Sequence, residues 1–335
     1  PHMHARRTIE QIQQVSPAFA EPDMGGEGTI GILGPGISDS LTAVGKCCFG
    51  LNPIFSACHA YPKYWFRDEE GALVYGSVQE EAKEALQILA DLYQDGVLDQ
   101  QIFSRMDIQE VLDAGKVGIF FGPWWAAEML ERDITQNKSE WKAYAAPVDE
   151  DGAYTVAMPP VVNQYLVIHK RCQNPEAVME ILNYEIENQY EWSNEGKLEG
   201  IGIKVYPLEW EIDYADELEY TYQVLRNEMS GKEQELDFSA HKMLEEDLEG
   251  LKMMNKEPYD HFGMEDWDGR NTYSFIRLYG ILNGVGAIAD QDYHPVYQAF
   301  SGQTQTMKQK WRKLEALEDE TYAQSILGKE PIEAF

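Results

Sequence analysis

The stretch Gly115-Lys116-Val117-Gly118-Ile119-Phe120-Phe121-Gly122-Pro123-Trp124-Trp125 decides the expected fold of this 335-residue chain. Its apolar run from Val117 to Phe121 is typical of a strand that is covered on both faces, as in a parallel α/β sheet. Pro123 suits the first position of a following helix, where its missing N–H is not needed. The stretch therefore predicts a turn, a buried strand and a helix that begins with two tryptophans.

The two tryptophans, Trp124 and Trp125, are predicted to lie at the carboxyl end of that strand, where open α/β sheets bind their ligands. Large flat aromatic rings at such a place are a common way to bind one face of a sugar. The alternative is that both indoles belong to the core, although two adjacent bulky rings are seldom both fully buried. Trp124 and Trp125 are therefore the first candidate ligand-binding residues.

The segments that precede this stretch predict the rest of an α/β unit. Apolar residues at helical spacing predict a helix over 8–20, and a short apolar run predicts a strand over 29–33. A further helix is expected over 51–60. Segments 65–67 and 73–75 flank a turn that ends in glycine, and together they predict a β-hairpin.

Two helices are expected between the hairpin and the quoted stretch. Ser77 and Glu80 have the spacing of a capping box for the first helix, which Gly96 is expected to end. Asp107 is expected to cap the second helix, which should end at Gly115. The resulting order of strand, helix, helix and strand is that of an α/β lobe.

The second half of the chain is expected to contain more helix than strand. A strand is predicted over 161–168, and a helix is predicted from residue 174 to about residue 190. The acidic segment 211–257 is predicted to be helical. Further helices are predicted over 273–282 and 307–327, and the last of these is amphipathic.

Composition excludes some classes of partner. The chain has 58 acidic and 27 basic residues, which gives a formal net charge of −31. Such a surface repels nucleic acid and anionic membranes, so neither is an expected partner. No apolar run is long enough to span a membrane. The acidity suits a soluble protein that is secreted or tethered to a cell surface.

No metal site, cofactor or disulfide is expected. Adjacent Cys47 and Cys48 cannot easily bridge each other, and the chain has no Cys-x-x-Cys pair of the kind that binds metals. These two residues, Cys58 and Cys172 are therefore expected to be small buried apolar residues. Segment 21–28 lacks the alternating oxygen ligands of a calcium-binding loop.

Enzyme chemistry has little support in the sequence. Glycoside hydrolysis needs two carboxylates across the scissile bond, and Glu265 and Asp268 beside Trp267 are the first pair to test. No motif distinguishes that pair from the many other carboxylates. There is no Gly-x-Ser-x-Gly motif, and the glycine-rich segment 31–36 lacks the Lys-Ser/Thr of a phosphate-binding loop. The chain is expected not to be an enzyme.

Several segments, taken in order, make the chain resemble a known family. They are 61–65 with 71–77, 85–98, 115–125, 304–307, Trp311, Leu314, 317–321 and 326–328. Through them the chain is similar to the extracellular solute-binding proteins of carbohydrate ABC transporters, the class that includes maltose-binding protein. It most resembles Firmicutes lipoproteins of the LplA, YtcQ and YesO type, and the matching segments cover most of the chain.

The resemblance implies a helix-rich periplasmic-binding-protein type II fold, in which two Rossmann-like α/β lobes close about a hinge. Residues 1–3, Pro-His-Met, indicate a cloning scar by their sequence alone. By the resemblance, 4–160 would be mainly the second lobe, 161–300 the helix-rich remainder of the first lobe, and 301–335 a return segment that packs on the second lobe. The N-terminal lobe is then expected to be incomplete. For that reason we expect this chain alone to bind oligosaccharide weakly or not at all, and to self-associate through exposed lobe contacts.

The resemblance also implies a function. It is that of a non-catalytic extracellular component that binds a sugar or oligosaccharide and delivers it to ABC permease subunits in the membrane. Such a protein is expected to be lipid-anchored on the outer face of the cell membrane, with the signal and anchor outside this sequence. The alternatives are an interaction or scaffold domain that binds no ligand and, with less support, a carbohydrate-active enzyme.

Site residues follow from the same resemblance. Trp124 matches the tryptophan of the Gly-Pro-Trp motif that stacks on a pyranose ring in sugar-binding relatives, and Trp125 would extend that platform. Phe49 and Asn52 fall where relatives carry cleft-lining aromatic and polar residues, although the adjacent cysteines depart from the pattern. Aromatic or bidentate-donor chemistry alone suggests three further ligand-binding residues, for which a structural role is equally open: Tyr165, Trp267 and Arg270.

Overall fold

The computed structural model describes residues 7–21, 26–37, 41–42, 48–159, 165–199, 214–236, 238, 241, 243–254, 263, 272–289, 291 and 293–334. Within these residues the chain is mixed α/β and rich in helix, and its sheets are small. It divides into two compact units. Unit 1 comprises Pro1–Val161 and Phe262–Phe335, and unit 2 comprises Val162–His261. The predicted assignment of segments to lobes stays a prediction.

The strands that the structure describes all lie in unit 1. They are β1 (Ile30–Ile32), β2 (Trp65–Arg67), β3 (Leu73–Tyr75), β4 (Val117–Ile119), β5 (Tyr154–Ala157) and β6 (Tyr293–Val296). Strands β1 and β4 pair in parallel, as do β5 and β6, whereas β2 and β3 form an antiparallel hairpin. The predicted strand over 29–33, the predicted hairpin and the predicted strand in the quoted stretch are confirmed.

The helices account for most of the regular structure. The α-helices are α1 (Ile9–Ala20), α2 (Asn52–Ala57), α3 (Glu80–Gln94), α4 (Ile108–Asp113), α5 (Pro175–Glu199), α6 (Glu217–Met229), α7 (Leu244–Met253), α8 (Thr272–Tyr279), α9 (Gly286–Ala289) and α10 (Gln305–Ile326). Shorter turns are the 3₁₀-helices Gly76–Val78, Trp124–Leu130 and Ile332–Ala334, and the π-helices Asp133–Asn137 and Gly280–Val285. The predicted helices over 8–20, 273–282 and 307–327 are confirmed.

The main core of unit 1 forms where helix α3 packs against α2, α10 and the residues around β1. Helix α3 buries one face, as its apolar spacing predicts, and Leu86 and Leu89 are fully buried there. Phe55 on α2 stacks on Tyr322 of α10, with ring centroids 5.8 Å apart. The C-terminal helix is thereby joined to the same core as the first strand.

Helix ends are partly as the sequence predicts. Asp107 caps α4 by accepting a hydrogen bond from the Glu110 N–H at 3.1 Å, and Gly96 follows α3 with φ +73°. The predicted capping box at Ser77 is wrong, because α3 begins later and Gln79 is its N-cap. The Ser77 hydroxyl instead donates to Glu318 at 2.8 Å and accepts from the Lys63 N–H at 2.7 Å.

Two further predictions are corrected in and near unit 2. Residues 165–168 are irregular rather than a strand, while residues 161–164 lie outside the described part of the chain. Cys172 is exposed, so its predicted burial is wrong, whereas Cys48 and Cys58 are buried as predicted. Cys47 lies outside the described residues. In unit 2, helices α6 and α7 pack against each other through their apolar faces.

Candidate functional site

The candidate site begins where strand β4 ends. After Ile119 the chain runs through Phe120 to Gly122, and the 3₁₀-helix Trp124–Leu130 follows. Pro123 is the N-cap of this helix, whereas the sequence predicts it at the first helical position. The helix is 3₁₀ rather than α. Because β1 and β4 are parallel, the segments after both strands leave the same edge of the sheet, which is the usual ligand edge.

Trp124 is half-buried, and two glycines of the π-helix Gly280–Val285 approach it closely. A Cβ added to Gly280 would lie 2.4 Å from the Trp124 carbonyl oxygen and 3.1 Å from Cε3 of its ring. A Cβ on Gly284 would lie 3.3 Å from the Trp124 Cα. Only a residue without a side chain fits at position 280. π-Helical turns of this kind occur frequently at functional sites.

Arg277 of helix α8 lies over the Trp124 ring. Its guanidinium carbon is 5.5 Å from the ring centroid, which is the geometry of a cation–π contact. A guanidinium carries five N–H donors in a fixed plane. A half-buried indole and a partly exposed group of hydrogen-bond donors therefore lie together, and the next residue, Trp125, is 37% exposed.

Phe49, which lies shortly before helix α2, contacts the same stretch. Its N–H donates to the Phe121 carbonyl at 2.7 Å, and its ring centroid is 5.1 Å from that of Phe120. The side chain is only 3% exposed, and the backbone has φ +72°. A left-handed conformation is costly for a bulky residue and persists only where the surroundings impose it.

An aromatic row extends from Phe49 through Phe120 to Trp141, whose ring centroid is 5.4 Å from that of Phe120. The Trp141 indole N–H donates to the buried carboxylate of Asp133 at 2.6 Å. That carboxylate also accepts hydrogen bonds from Asn137 at 2.8 Å and from Ser139 at 2.9 Å. Three donors thus provide hydrogen-bond partners for a buried side chain at the end of the row.

Only some of the predicted site residues lie near one another in the structure. Trp124 and Trp125 lie together after β4, Phe49 packs under the same stretch, and Asn52 begins helix α2 in a half-buried position. Tyr165 is in unit 2 and is 79% exposed. The other predicted residues, including the carboxylate pair of the enzyme hypothesis, lie outside the described residues: Trp267, Arg270, Glu265 and Asp268.

Sequence reasoning missed Arg277, Gly280 and the Asp133 carboxylate. The glycines at 280, 284 and 286 were a usable signal, because three glycines within seven residues of a helical segment indicate close packing. Arg277 had no local signal, since it lies more than a hundred residues from Trp124 along the chain.

A second aromatic group, here called the hairpin cluster, consists of Trp65, Tyr75, Phe300 and Trp311. The Trp65 ring centroid is 5.0 Å from that of Tyr75, 6.1 Å from that of Trp311 and 6.3 Å from that of Phe300. The Tyr75 hydroxyl donates to Glu318 of α10 at 2.9 Å. This cluster joins the β2–β3 hairpin to the C-terminal helix.

Other chemistry is sparse in the described residues. They contain no group of three or more His, Cys, Asp and Glu residues that could hold a metal ion. Burial raises the pKa of the Cys58 thiol to about 12, with smaller contributions from Glu84 and Glu10, so this cysteine is not a nucleophile at neutral pH. None of the described helices is long and apolar enough to cross a membrane.

Neither the models of known protein families nor the curated protein sequences give a match to this chain.

Proposed function

We propose that this chain is a sugar-binding component of an ABC import system, built on a two-lobed periplasmic-binding-protein type II fold, and that it catalyses no reaction. The observation that carries the proposal is the position of Trp124. Its half-buried indole lies at the carboxyl end of a parallel strand, next to an arginine and to the more exposed Trp125. A pyranose ring would stack on this aromatic surface while Arg277 donates hydrogen bonds to its hydroxyl groups.

Rigidity makes this indole a better platform than a free surface tryptophan. Ordering a flexible side chain on binding costs free energy, so a ring that is already fixed binds more tightly. Gly280 and Gly284 allow the π-helix to pack directly on the Trp124 backbone and ring, and Arg277 packs against the ring itself. The side chain is therefore ordered before any ligand arrives.

The course of the chain supports the two-lobed part of the proposal. Unit 1 is assembled from two separate segments, and unit 2 is formed by the residues between them. The chain thus passes from one unit to the other twice, as it does in binding proteins that close by hinge motion. Delivery to a permease and a lipid anchor on the outer face of the membrane rest on the sequence resemblance alone.

The test is ligand-observed saturation-transfer NMR of the chain with a panel of plant-derived oligosaccharides, because this method detects weak binding. We expect at least one oligosaccharide to bind and to remain intact after prolonged incubation. Trp124→Ala should weaken that binding about tenfold, since aromatic stacking contributes roughly 0.5–1.5 kcal/mol beyond the apolar area that it buries. Hydrolysis of the ligand would favour the enzyme alternative, and binding that Trp124→Ala leaves unchanged would remove the site.

A further inference from the structure

The residues Tyr165, Leu166, Val167 and Ile168 form an exposed apolar segment in unit 2, here called the 165–168 segment. Tyr165 and Val167 are 79% and 83% exposed, whereas Leu166 and Ile168 are 39% and 37% exposed. Exposure that alternates with a period of two is the mark of an extended backbone. One face of the segment is therefore partly covered by its own chain, and the other face is bare.

The backbone of this segment also lacks hydrogen-bond partners among the described residues. None of its four residues makes a backbone hydrogen bond to another residue of the described chain. Valine, isoleucine and tyrosine also favour the extended conformation. Unpaired peptide groups beside exposed apolar side chains are a template for another strand, and such an exposed patch usually marks a contact surface.

Local charge also sets this part of the chain apart. From residue 152 to residue 175 the sequence contains no aspartate or glutamate, although the whole chain has 58 of them. Lys170 and Arg171 follow the segment after His169. At physiological ionic strength charges are screened within about 8 Å. Two copies of an acidic chain therefore repel each other less at this segment than at most other places on their surfaces.

We propose that the 165–168 segment is a self-association site, at which two copies of this chain pair their segments as antiparallel strands. A two-fold axis between the copies makes the contact self-complementary and places the bare faces next to each other. Tyr165 and Val167 of one copy would lie beside their counterparts as cross-strand neighbours, and the peptide groups of the two segments would bond across the axis. An anionic membrane is a poorer occupant, because the acidic remainder of the surface would be repelled by an extended charged plane.

Sedimentation velocity over a range of about 1 to 200 μM tests this proposal. We expect a monomer–dimer equilibrium that tightens when salt is added, because salt screens the repulsion between the two negative chains. Val167→Lys should weaken dimerisation at least about tenfold, since it places charges in an apolar contact. Val78→Lys is the matched control, because Val78 is another exposed valine, 67% accessible and located in unit 1. Both variants should keep the far-ultraviolet circular dichroism of the parent chain.

A peptide competition experiment distinguishes strand pairing from non-specific hydrophobic association. A synthetic peptide covering residues 163–170 should dissociate the dimer, and the same peptide with Val167→Pro, which cannot extend as a paired strand, should not. A chain that stays monomeric at every concentration would overturn the proposal, as would equal effects of Val167→Lys and Val78→Lys. Cosedimentation of monomeric chain with phosphatidylglycerol vesicles, lost in Val167→Lys, would assign the segment to a membrane instead.

Discussion

The Trp124 site and the hairpin cluster are both built on tryptophans of unit 1, yet their surroundings differ. Trp65 of the hairpin cluster contacts three other aromatic rings, which come from the β2–β3 hairpin, from the segment after β6 and from helix α10. Trp124 contacts two glycines and an arginine, and no aromatic ring among the described residues packs on it. Rings that pack on rings stabilise the fold, whereas a ring backed by glycines leaves aromatic surface for a ligand.

The polar groups of the hairpin cluster bond to one another. Glu318 accepts hydrogen bonds from Tyr75 and Ser77, and Lys63 pairs with Asp319 at 2.6 Å. At the Trp124 site, the Arg277 side chain is half-buried and lies over the indole ring. We therefore assign a structural role to the hairpin cluster and propose the Trp124 site as the place where a ligand binds.

The largest expected effect is on stability, at the hairpin cluster. Trp311→Ala should lower the free energy of unfolding by about 2–4 kcal/mol, because a large aromatic side chain is lost from between the hairpin and α10. Urea denaturation measures this loss. Oligosaccharide affinity of the folded fraction should not change. A loss of affinity without a loss of stability would reverse the roles that we give to the two regions.

A smaller effect is expected where the π-helix meets Trp124. Gly280→Ala should cost about 1–3 kcal/mol of stability, because its Cβ would overlap the Trp124 carbonyl and force the two segments apart. Gly284→Ala is the matched control, since its Cβ lies 3.3 Å from the Trp124 Cα and the helix propensity of alanine offsets the contact. Thermal unfolding compares the two variants. Similar melting temperatures would show that the close approach at Gly280 does not affect stability.

The smallest effect concerns pH. Burial raises the pKa of Glu318 above its ordinary value, against the opposing hydrogen bonds from Ser77 and Tyr75. The folded state therefore holds this proton to a higher pH than the unfolded state, and stability is lost as the pH rises above about 4.5 through the raised pKa. Glu318→Gln should remove this part of the pH dependence. A wild-type stability that falls no faster than that of Glu318→Gln between pH 4 and pH 7 would contradict the shift.

Much of unit 1 could be predicted from local patterns. Helix α3, the β2–β3 hairpin and the β4 strand each have their periodicity and turn residues within a short segment, so the sequence alone indicates them. The wrong predictions have tertiary causes. Ser77 was expected to cap a helix, but its hydroxyl bonds to Glu318, 241 residues away. The 165–168 segment has the composition of a buried strand, but no described strand lies beside it.

The candidate site was predictable only in its first element. The Gly-Pro-Trp sequence after an apolar run indicates where Trp124 lies, because the carboxyl end of a strand is a ligand edge. Its support comes from residues that are far apart in sequence. Arg277 and Gly280 meet Trp124 only after the chain has returned from unit 2. The left-handed φ of Phe49 likewise follows from its packing against Phe120 and Phe121 rather than from a turn motif.

The most direct test of the sugar site is isothermal titration of one oligosaccharide into three forms of the chain: wild type, Trp124→Ala and Trp311→Phe. The oligosaccharide is the one that gives the strongest saturation-transfer signal. We predict that Trp124→Ala binds about tenfold more weakly than wild type, as the loss of a stacking contact implies. Trp311→Phe should bind as wild type does. Equal affinity of wild type and a folded Trp124→Ala variant would contradict the assignment of Trp124 as the sugar platform.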